Sequence, residues 1–215
     1  MQKAGVVVIR LAWIMALLFL SSCVSPQVPK ETQPQSPKGN LVLAWGVAHS
    51  DWTDYLSEVL ETSELPDLVP SDALNFCPRY GVLARTERRD FWAHLLSIMS
   101  KYESDFKPET QYQEPEPPQG PGTLSVGLLQ LSASDKAYGG RCSGIDAVKL
   151  RSPKPNLNCA VTVLSKWVKS DGVIASTSNK GGGRYWSVLR PVQSGKPRSA
   201  YVSIQKYVRE LSFCH

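Results

Sequence analysis

Residues 86–104, TERRDFWAHLLSIMSKYES, decide the fold because their apolar residues recur at steps of three and four. One row consists of Phe91, Leu95, Ile98 and Tyr102, and the row beside it of Trp92, Leu96 and Met99. Residues at such steps share one face of an α-helix, and two adjacent apolar rows are typical of a helix buried on a broad face. The stretch therefore predicts a central helix, and Thr86 is its expected N-cap.

Glu103 extends the second of these rows, because it follows Trp92, Leu96 and Met99 at steps of four, three and four. A carboxyl group among apolar residues is held in its neutral form, and the negative end of the helix dipole has the same effect. Both effects raise its pKa, and a carboxylic acid that stays protonated near neutral pH can act as a general acid. The alternative is a frayed helix end from which Glu103 points into solvent, and periodicity alone leaves both possibilities open.

The rest of the folded region is also predicted to be mainly helical. Helical spacing recurs at residues 52–61, 157–169 and 199–211. Strand-like patterns are short, at 41–44 and 123–129, while five prolines within 107–123 predict a loop. Residues 41–215 are therefore expected to form one mainly α domain with little strand, which is large enough for its own core.

The N-terminal residues predict export. Lys3 and Arg10 precede an apolar run over 11–20, and the run ends at Ser21-Ser22-Cys23. This is a secretory signal pattern, too short to span a membrane comfortably. Leu20-Ser21-Ser22-Cys23 resembles a bacterial lipobox, so residues 1–23 are expected to be a lipoprotein signal peptide with Cys23 acylated. An ordinary signal peptide or an uncleaved anchor remains the alternative.

Proline-rich residues 24–40 predict an extended tether between the anchor and the domain. The expected location is the cell envelope, facing the periplasm, with the outer membrane as the favoured membrane. Loss of Lys3 and Arg10 with the signal lowers the net charge from +5 to +3. Such a weak positive charge does not indicate a nucleic-acid partner.

Four cysteines remain when Cys23 is set aside. They are Cys77, Cys142, Cys159 and Cys214. An even number in an oxidising compartment predicts two disulfides, and the sequence leaves the three possible pairings open. A zinc site is disfavoured because no two of these cysteines are close in sequence and the chain has only three histidines. Neither a metal nor a cofactor is predicted.

Three segments together resemble a known family. They are SKYESDFKP at 100–108, SVGLLQ at 125–130 and Pro155-Asn156-Leu157 followed by Ala160 and Leu164. Their order and spacing are similar to those of soluble lytic transglycosylase domains and goose-type lysozymes, over roughly residues 91–167. Ala160 stands where the family has glycine. The resemblance implies a lysozyme-like fold.

The resemblance also implies roles for individual residues. Glu103 would be the catalytic acid and base, with Ser104 beside it in the substrate site. Gln130 would lie in the cleft, while Ser125 and Gly127 would shape a turn that brings the backbone close to sugar. The positive φ that such a turn needs is compatible with glycine.

A fourth family motif, tyrosine followed by asparagine, alanine and glycine, is not present as such. Tyr185 is the candidate, with Trp186 in place of the asparagine. Its hydroxyl group is expected either to orient Glu103 or to lie in the core, and the departure from the motif leaves this choice open.

The activity implied by the resemblance is peptidoglycan lytic transglycosylation. In this reaction Glu103 protonates the glycosidic oxygen and then deprotonates the muramoyl 6-hydroxyl, which gives a 1,6-anhydro product without water. The first alternative is a lysozyme-type hydrolase in which a nearby acid, Asp105, Glu109 or Glu114, activates water. The second is a non-catalytic lipoprotein that binds peptidoglycan. Glycan strands and the membrane are the expected partners, and other cell-wall enzymes are further candidates.

Overall fold

The computed structural model describes residues 41–115 and 122–215, and these are mainly helical. The α-helices are α1 (Ser50–Glu61), α2 (Ala73–Phe76), α3 (Arg85–Ser104), α4 (Pro153–Asp171) and α5 (Ser199–Arg209). The strands are β1 (Gln111–Gln113), β2 (Leu124–Val126), β3 (Leu131–Ser132), β4 (Val192–Gln193) and β5 (Lys196–Pro197). Short 3-10 helices occur between these elements, including Ala133–Tyr138, Gly182–Arg184 and Ser187–Leu189.

Helix α3 lies in the core, as its two apolar rows predict. Its fully buried side chains are Phe91, Trp92, Leu95, Leu96 and Met99. Each large apolar side chain buried in this way stabilises the fold by about 1.5–3 kcal/mol. The first row leaves the core at its C-terminal end, where Tyr102 is 41% exposed. The second row stays inside up to Glu103.

The helix boundaries follow local hydrogen bonds. The predicted N-cap Thr86 is wrong, because α3 begins at Arg85 and Ala84 precedes it. The Glu87 carboxylate accepts a hydrogen bond from the Ala84 N–H at 2.8 Å. The N-terminus of α3 is therefore capped by a side chain from its own first turn. Helix α4 begins at Pro153, earlier than predicted, because proline tolerates the first turn of a helix.

The strands differ most from the sequence prediction. Residues 41–44 form no strand, and the Ala44 N–H donates to the Ser97 hydroxyl of α3 at 3.2 Å. The predicted loop at 107–123 contains β1, which pairs antiparallel with β2. Strand β3 pairs with the other edge of β2 and completes a three-stranded sheet.

Two disulfides join Cys77 to Cys214 and Cys142 to Cys159, which confirms the predicted number and selects one of the three pairings. The first ties the C-terminus to the segment after α2, and the second ties α4 to the 3-10 helix Gly140–Cys142. Across the described part of the chain, no helix is long and apolar enough to cross a membrane. The predicted signal peptide, Cys23 and tether lie outside the described residues.

Candidate active site

Glu103 occupies the last turn of α3 with a carboxyl group that is largely enclosed. Its Oε1 atom is buried and has no hydrogen-bond partner among residues 41–115 and 122–215. An unpartnered buried carboxyl oxygen is unusual, because polar atoms are normally paired when they leave water. The helix-end position therefore holds a buried acid, and the solvent-exposed alternative is not what the structure shows.

Burial raises the pKa of Glu103 to about 7, from an ordinary value of 4.5. The positive charge of Arg198 opposes this rise, the negative charge of Glu114 adds to it, and Arg190 opposes it again. A carboxyl group with a pKa near 7 is partly protonated and partly ionised at neutral pH. It can therefore both deliver a proton and accept one in a single reaction cycle.

Ser104 fixes the end of α3 to the turn between β2 and β3. Its side chain is buried, and its hydroxyl lies 3.1 Å from the Ser100 carbonyl oxygen and 3.0 Å from that of Leu128. Both acceptors are backbone oxygens of the protein itself. Ser104, predicted to lie in the substrate site, therefore also supports the end of α3 next to Glu103.

The turn between β2 and β3 depends on Gly127. Its φ of 83° is in the left-handed region, which a residue with a Cβ rarely adopts. A Cβ atom there would also lie 2.1 Å from the Leu150 carbonyl oxygen and 2.4 Å from the Asn156 Nδ2. Glycine is required both by the backbone conformation and by the lack of space.

Gln130 stabilises the same turn with its buried side chain. It is 8% exposed, and its Nε2 donates to the carbonyl oxygens of Gly127 at 2.8 Å and Thr110 at 3.1 Å. The amide therefore joins the turn to the segment that follows α3. Gln130 is buried, and its amide hydrogens are used on carbonyl oxygens of the protein itself.

Asn156 joins the third sequence segment to the second. Its Nδ2 donates to the carbonyl oxygens of Val126 at 2.9 Å and Leu150 at 3.1 Å, and its Oδ1 accepts from the Leu129 N–H at 2.9 Å. The side chain is fully buried. The three segments that resemble the family thus meet around one turn. Sequence alone gave Asn156 no role, because its partners lie about thirty residues away.

Glu114 follows β1 directly and lies on the same side of the sheet as Ser125. The Ser125 hydroxyl donates to the Glu114 Oε1 at 3.3 Å, and the Glu114 N–H donates to the Thr123 carbonyl oxygen at 2.8 Å. Its charge acts on Glu103, so a second carboxylate is close to the candidate acid. Ser125, predicted to shape the turn, lies in β2 just before it and contacts this carboxylate.

Asp105 and Glu109 were the other candidate acids, and neither resembles Glu103. Asp105 forms ion pairs with Lys101 and Lys107, and their hydrogen bonds lower its pKa. Glu109 is exposed to solvent. Glu114 is therefore the neighbouring carboxylate that the structure associates with Glu103.

Tyr185 contacts the 3-10 helix that follows β3, through its hydroxyl group. Its hydroxyl donates to the carboxylate of Asp135 and not to Glu103, and Asp135 also accepts from the Ser132 N–H at 2.8 Å. The adjacent Trp186 is buried, and its Nε1 donates to the Leu129 carbonyl oxygen at 2.8 Å. The fourth motif candidate thus braces β3 and the turn, although tryptophan replaces the family's asparagine.

The described residues include no cluster of three His, Cys, Asp or Glu side chains that could hold a metal ion. Of the three histidines, His94 is buried against Tyr207, with its Nδ1 3.1 Å from the tyrosine hydroxyl. Burial lowers the pKa of His94 to about 4. This histidine is accounted for by packing in the core.

Arg190 and Arg198 are the residues that the sequence analysis missed. They lie near Glu103 in space but far from it in sequence, and their types and spacing match none of the motifs. The sequence contains no signal for them, because arginines are common in this chain and only the packing of the C-terminal region places these two beside the acid.

The chain was compared with known proteins. No protein-family model matches it, and neither does any curated protein. Three solved structures of DslA from Bdellovibrio do match, with a TM-score of 0.73 each. They are 34–35% identical in sequence, and the matches cover 82% of this chain and 100% of DslA. These matches confirm the predicted lysozyme-like fold.

Two of the three DslA structures are glutamate-to-glutamine mutants, and the third is the wild type. The two mutated positions are eleven residues apart in DslA. Glu103 and Glu114 are also eleven residues apart in this chain. The two carboxylates that interact through their charges in this chain thus have the same spacing as the pair altered in DslA.

Proposed function

The chain belongs to the lysozyme-like family of DslA, and we propose that it is an enzyme that cleaves the glycan strands of peptidoglycan. The observation that carries this proposal is the buried Glu103 carboxyl at the end of α3, with a pKa of about 7. General acid catalysis of glycoside cleavage needs a carboxylic acid that is still protonated near neutral pH. The eleven-residue spacing of the two glutamates, shared with DslA, supports the same assignment.

The finer proposal is lytic transglycosylation, which follows from the motif resemblance. Glu103 donates its proton to the oxygen between the muramoyl and glucosaminyl units, and the glycosidic bond breaks. The muramoyl 6-hydroxyl oxygen then bonds to the anomeric carbon, and its proton passes to the Glu103 carboxylate. The product ends in a 1,6-anhydro ring, and the acid is restored without consuming water.

Hydrolysis is a second candidate, and one observation favours it. Glu114 is a second carboxylate close to Glu103, and the Ser125 hydroxyl holds one of its oxygens. Two-carboxylate glycosidases use the second group to activate water or to attack the sugar. In that route Glu114 takes part in the chemistry, and the product ends in a reducing sugar.

The products separate the two routes. Peptidoglycan is digested with the purified protein in water enriched in heavy oxygen, and the fragments are analysed by mass spectrometry. The lytic route gives anhydro ends without the label, and hydrolysis gives reducing ends that carry it. The control is Glu103→Gln, which should give neither. Failure of the wild-type protein to cleave glycan under any of these conditions would refute the proposed function.

The proposal also includes a location. Acylation of Cys23 would anchor the enzyme in a membrane of the envelope, with the tether of residues 24–40 giving the domain access to the wall. Two disulfides fit an oxidising compartment such as the periplasm. Glycan strands and the lipid membrane are the partners that this location supplies.

A further inference from the structure

Arg198 is a partly buried arginine at the N-terminal end of α5. It directly precedes α5, and its guanidinium group makes no ion pair or hydrogen bond with any residue in 41–115 or 122–215. It also lines a cavity of about 410 Å³ at the β4–β5 hairpin. The other residues that line this cavity are Ser194, Lys196, Pro197, Ser199 and Ala200.

The packing of α5 on α3 places this arginine beside Glu103. Tyr207 of α5 contacts His94 of α3, while the charge of Arg198 acts on Glu103. Glu103 lies nine residues after His94, toward the C-terminus of α3. Arg198 lies nine residues before Tyr207, toward the N-terminus of α5. The two helices therefore run in opposite directions, and the cavity lies on the Glu103 side of the molecule.

A positive charge in this position works against the proposed acid. Arg198 stabilises the ionised form of Glu103, and Arg190 does the same. Of these two, Arg190 has a structural contact, because its Nε donates to the Gly183 carbonyl oxygen at 2.8 Å. Arg198 has no such contact within the described residues, and its partly exposed guanidinium group beside the acid can receive a ligand.

We propose that Arg198 and the cavity bind a carboxylate carried by the muramoyl unit of the glycan strand. This inference rests on the proposed function and names the part of the substrate that is recognised. Muramic acid carries a lactyl ether that ends in a carboxyl group, either free or linked to a peptide with carboxylates of its own. Glucosamine units carry none. A guanidinium group pairs with a carboxylate through two parallel hydrogen bonds, which fixes position as well as charge.

This contact orients the glycan strand in the cleft. The muramoyl unit is drawn to the Arg198 side, so Glu103 meets the bond on one defined side of that unit. Lys196, which is exposed in the same cavity, adds to the attraction of an anion. The bound carboxylate also neutralises the charge of Arg198, which leaves Glu103 more fully protonated in the complex than in the free enzyme.

The test uses Arg198→Gln and two forms of the same peptidoglycan. One form is untreated, and in the other all carboxyl groups have been converted to neutral amides. For the untreated strands we expect the variant to raise KM about tenfold, as loss of a charge-assisted hydrogen bond does. For the amidated strands we expect the variant and the wild type to have the same KM. Arg209→Gln, at the other end of α5, removes the same charge and should change neither value.

A second pair of substrates identifies the carboxylate. Strands stripped of their peptides retain only the lactyl carboxylate. A KM effect of Arg198→Gln that persists on stripped strands assigns the subsite to that group, and an effect that disappears assigns it to the peptide. Arg198→Lys, which retains the charge but not the two-pronged geometry, should have an intermediate KM and guards against loss of folding in the glutamine variant.

The pH dependence gives an independent readout. The profile of kcat/KM reports the free enzyme, and that of kcat reports the complex. With untreated strands the alkaline limb should lie at higher pH in the kcat profile, whereas with amidated strands the two limbs should coincide. Equal effects of Arg198→Gln on untreated and amidated strands would overturn the subsite. Absence of cleavage of both substrates by the wild type would refute the proposed function instead.

Discussion

At the scale of the residue, Glu103 destabilises the folded protein whenever it is ionised. Its pKa rises from 4.5 to about 7 because the fold removes its carboxyl group from water. Below pH 4.5 the group is protonated in both the folded and unfolded states, and it has no effect on stability. Above pH 7 it is ionised in both, and the folded state is penalised by about 3 kcal/mol.

The variant Glu103→Gln should therefore lose activity and gain stability. The amide cannot transfer the proton, so cleavage should fall by about 10² to 10⁴-fold. Because the amide is never charged, the free energy of unfolding should rise by about 3 kcal/mol at pH 8 and stay unchanged at pH 4. Urea denaturation at the two pH values measures this. The exposed Glu109→Gln is the control, and a loss of stability in Glu103→Gln at pH 8 would contradict the assignment.

Glu114 should tune the pKa of Glu103 through its charge. The variant Glu114→Gln removes a negative neighbour, so the pKa of Glu103 should fall, and the alkaline limb of the kcat/KM profile should move to lower pH. Arg190→Gln should move the limb in the opposite direction, because it removes a positive neighbour. A kcat that falls about 100-fold or more in Glu114→Gln at every pH would instead show that Glu114 takes part in the chemistry.

At the scale of the element, the helices could be predicted but the strands only in part, because the pattern at 123–129 covers β2 whereas β1 lies in a predicted loop. Helix α3 has two long apolar rows, so its existence and its buried face followed from spacing alone. Strand β1 has three residues, all exposed, and is too short to show an alternating pattern. Its existence depends on pairing with β2, which is information that local sequence does not contain.

The candidate site also contains residues that could be predicted from the sequence and residues that could not. Glu103 could be predicted because its own helix carries the signal. The roles of Ser104, Gln130 and Asn156 could not, because their hydrogen-bond partners are backbone groups of a turn that forms only after folding. Motif resemblance brought these residues to attention, but it did not distinguish side chains that face sugar from side chains that hold the turn.

Asn156→Ala should loosen this turn and misplace the site. The substitution leaves the Leu129 N–H and the carbonyl oxygens of Val126 and Leu150 without their partner. Each buried group left unpaired costs about 1–3 kcal/mol, so we expect a loss of at least about 3 kcal/mol in the free energy of unfolding. In the folded fraction kcat should fall more than KM rises. Asn158→Ala, on the same helix, is the control and should affect both quantities far less.

At the scale of the whole molecule, the two disulfides differ in the length of chain that they close. The Cys77–Cys214 bond joins residues 137 apart, and the Cys142–Cys159 bond joins residues 17 apart. On loop entropy alone, replacing both cysteines of the first pair with serine should destabilise the protein by about 5 kcal/mol, and the second by about 3 kcal/mol. Denaturation of the two double variants measures the difference. The wild type, denatured without reductant, should show no thiol from these four residues.

The proposed attachment to a membrane also concerns the whole molecule, and it would depend on Cys23. The four other cysteines are paired with one another in the folded domain, so Cys23 has no disulfide partner there and its sulfur is available for acylation. Each buried CH₂ group of an acyl chain contributes about 0.8 kcal/mol to membrane binding, and stable residence needs more than one chain or signal. Cys23→Ser should therefore move the protein from the membrane fraction to the soluble fraction after cell lysis. The released protein should still cleave peptidoglycan, because the substitution leaves Glu103 and both disulfides unaltered.

Immunoblots of the two fractions and a digestion assay on each check both expectations, and Ser22→Thr, which retains the cysteine, controls for altered processing. A variant that stayed in the membrane fraction would mean that the apolar run at 11–20 acts as an uncleaved anchor, and the lipoprotein assignment would then be wrong.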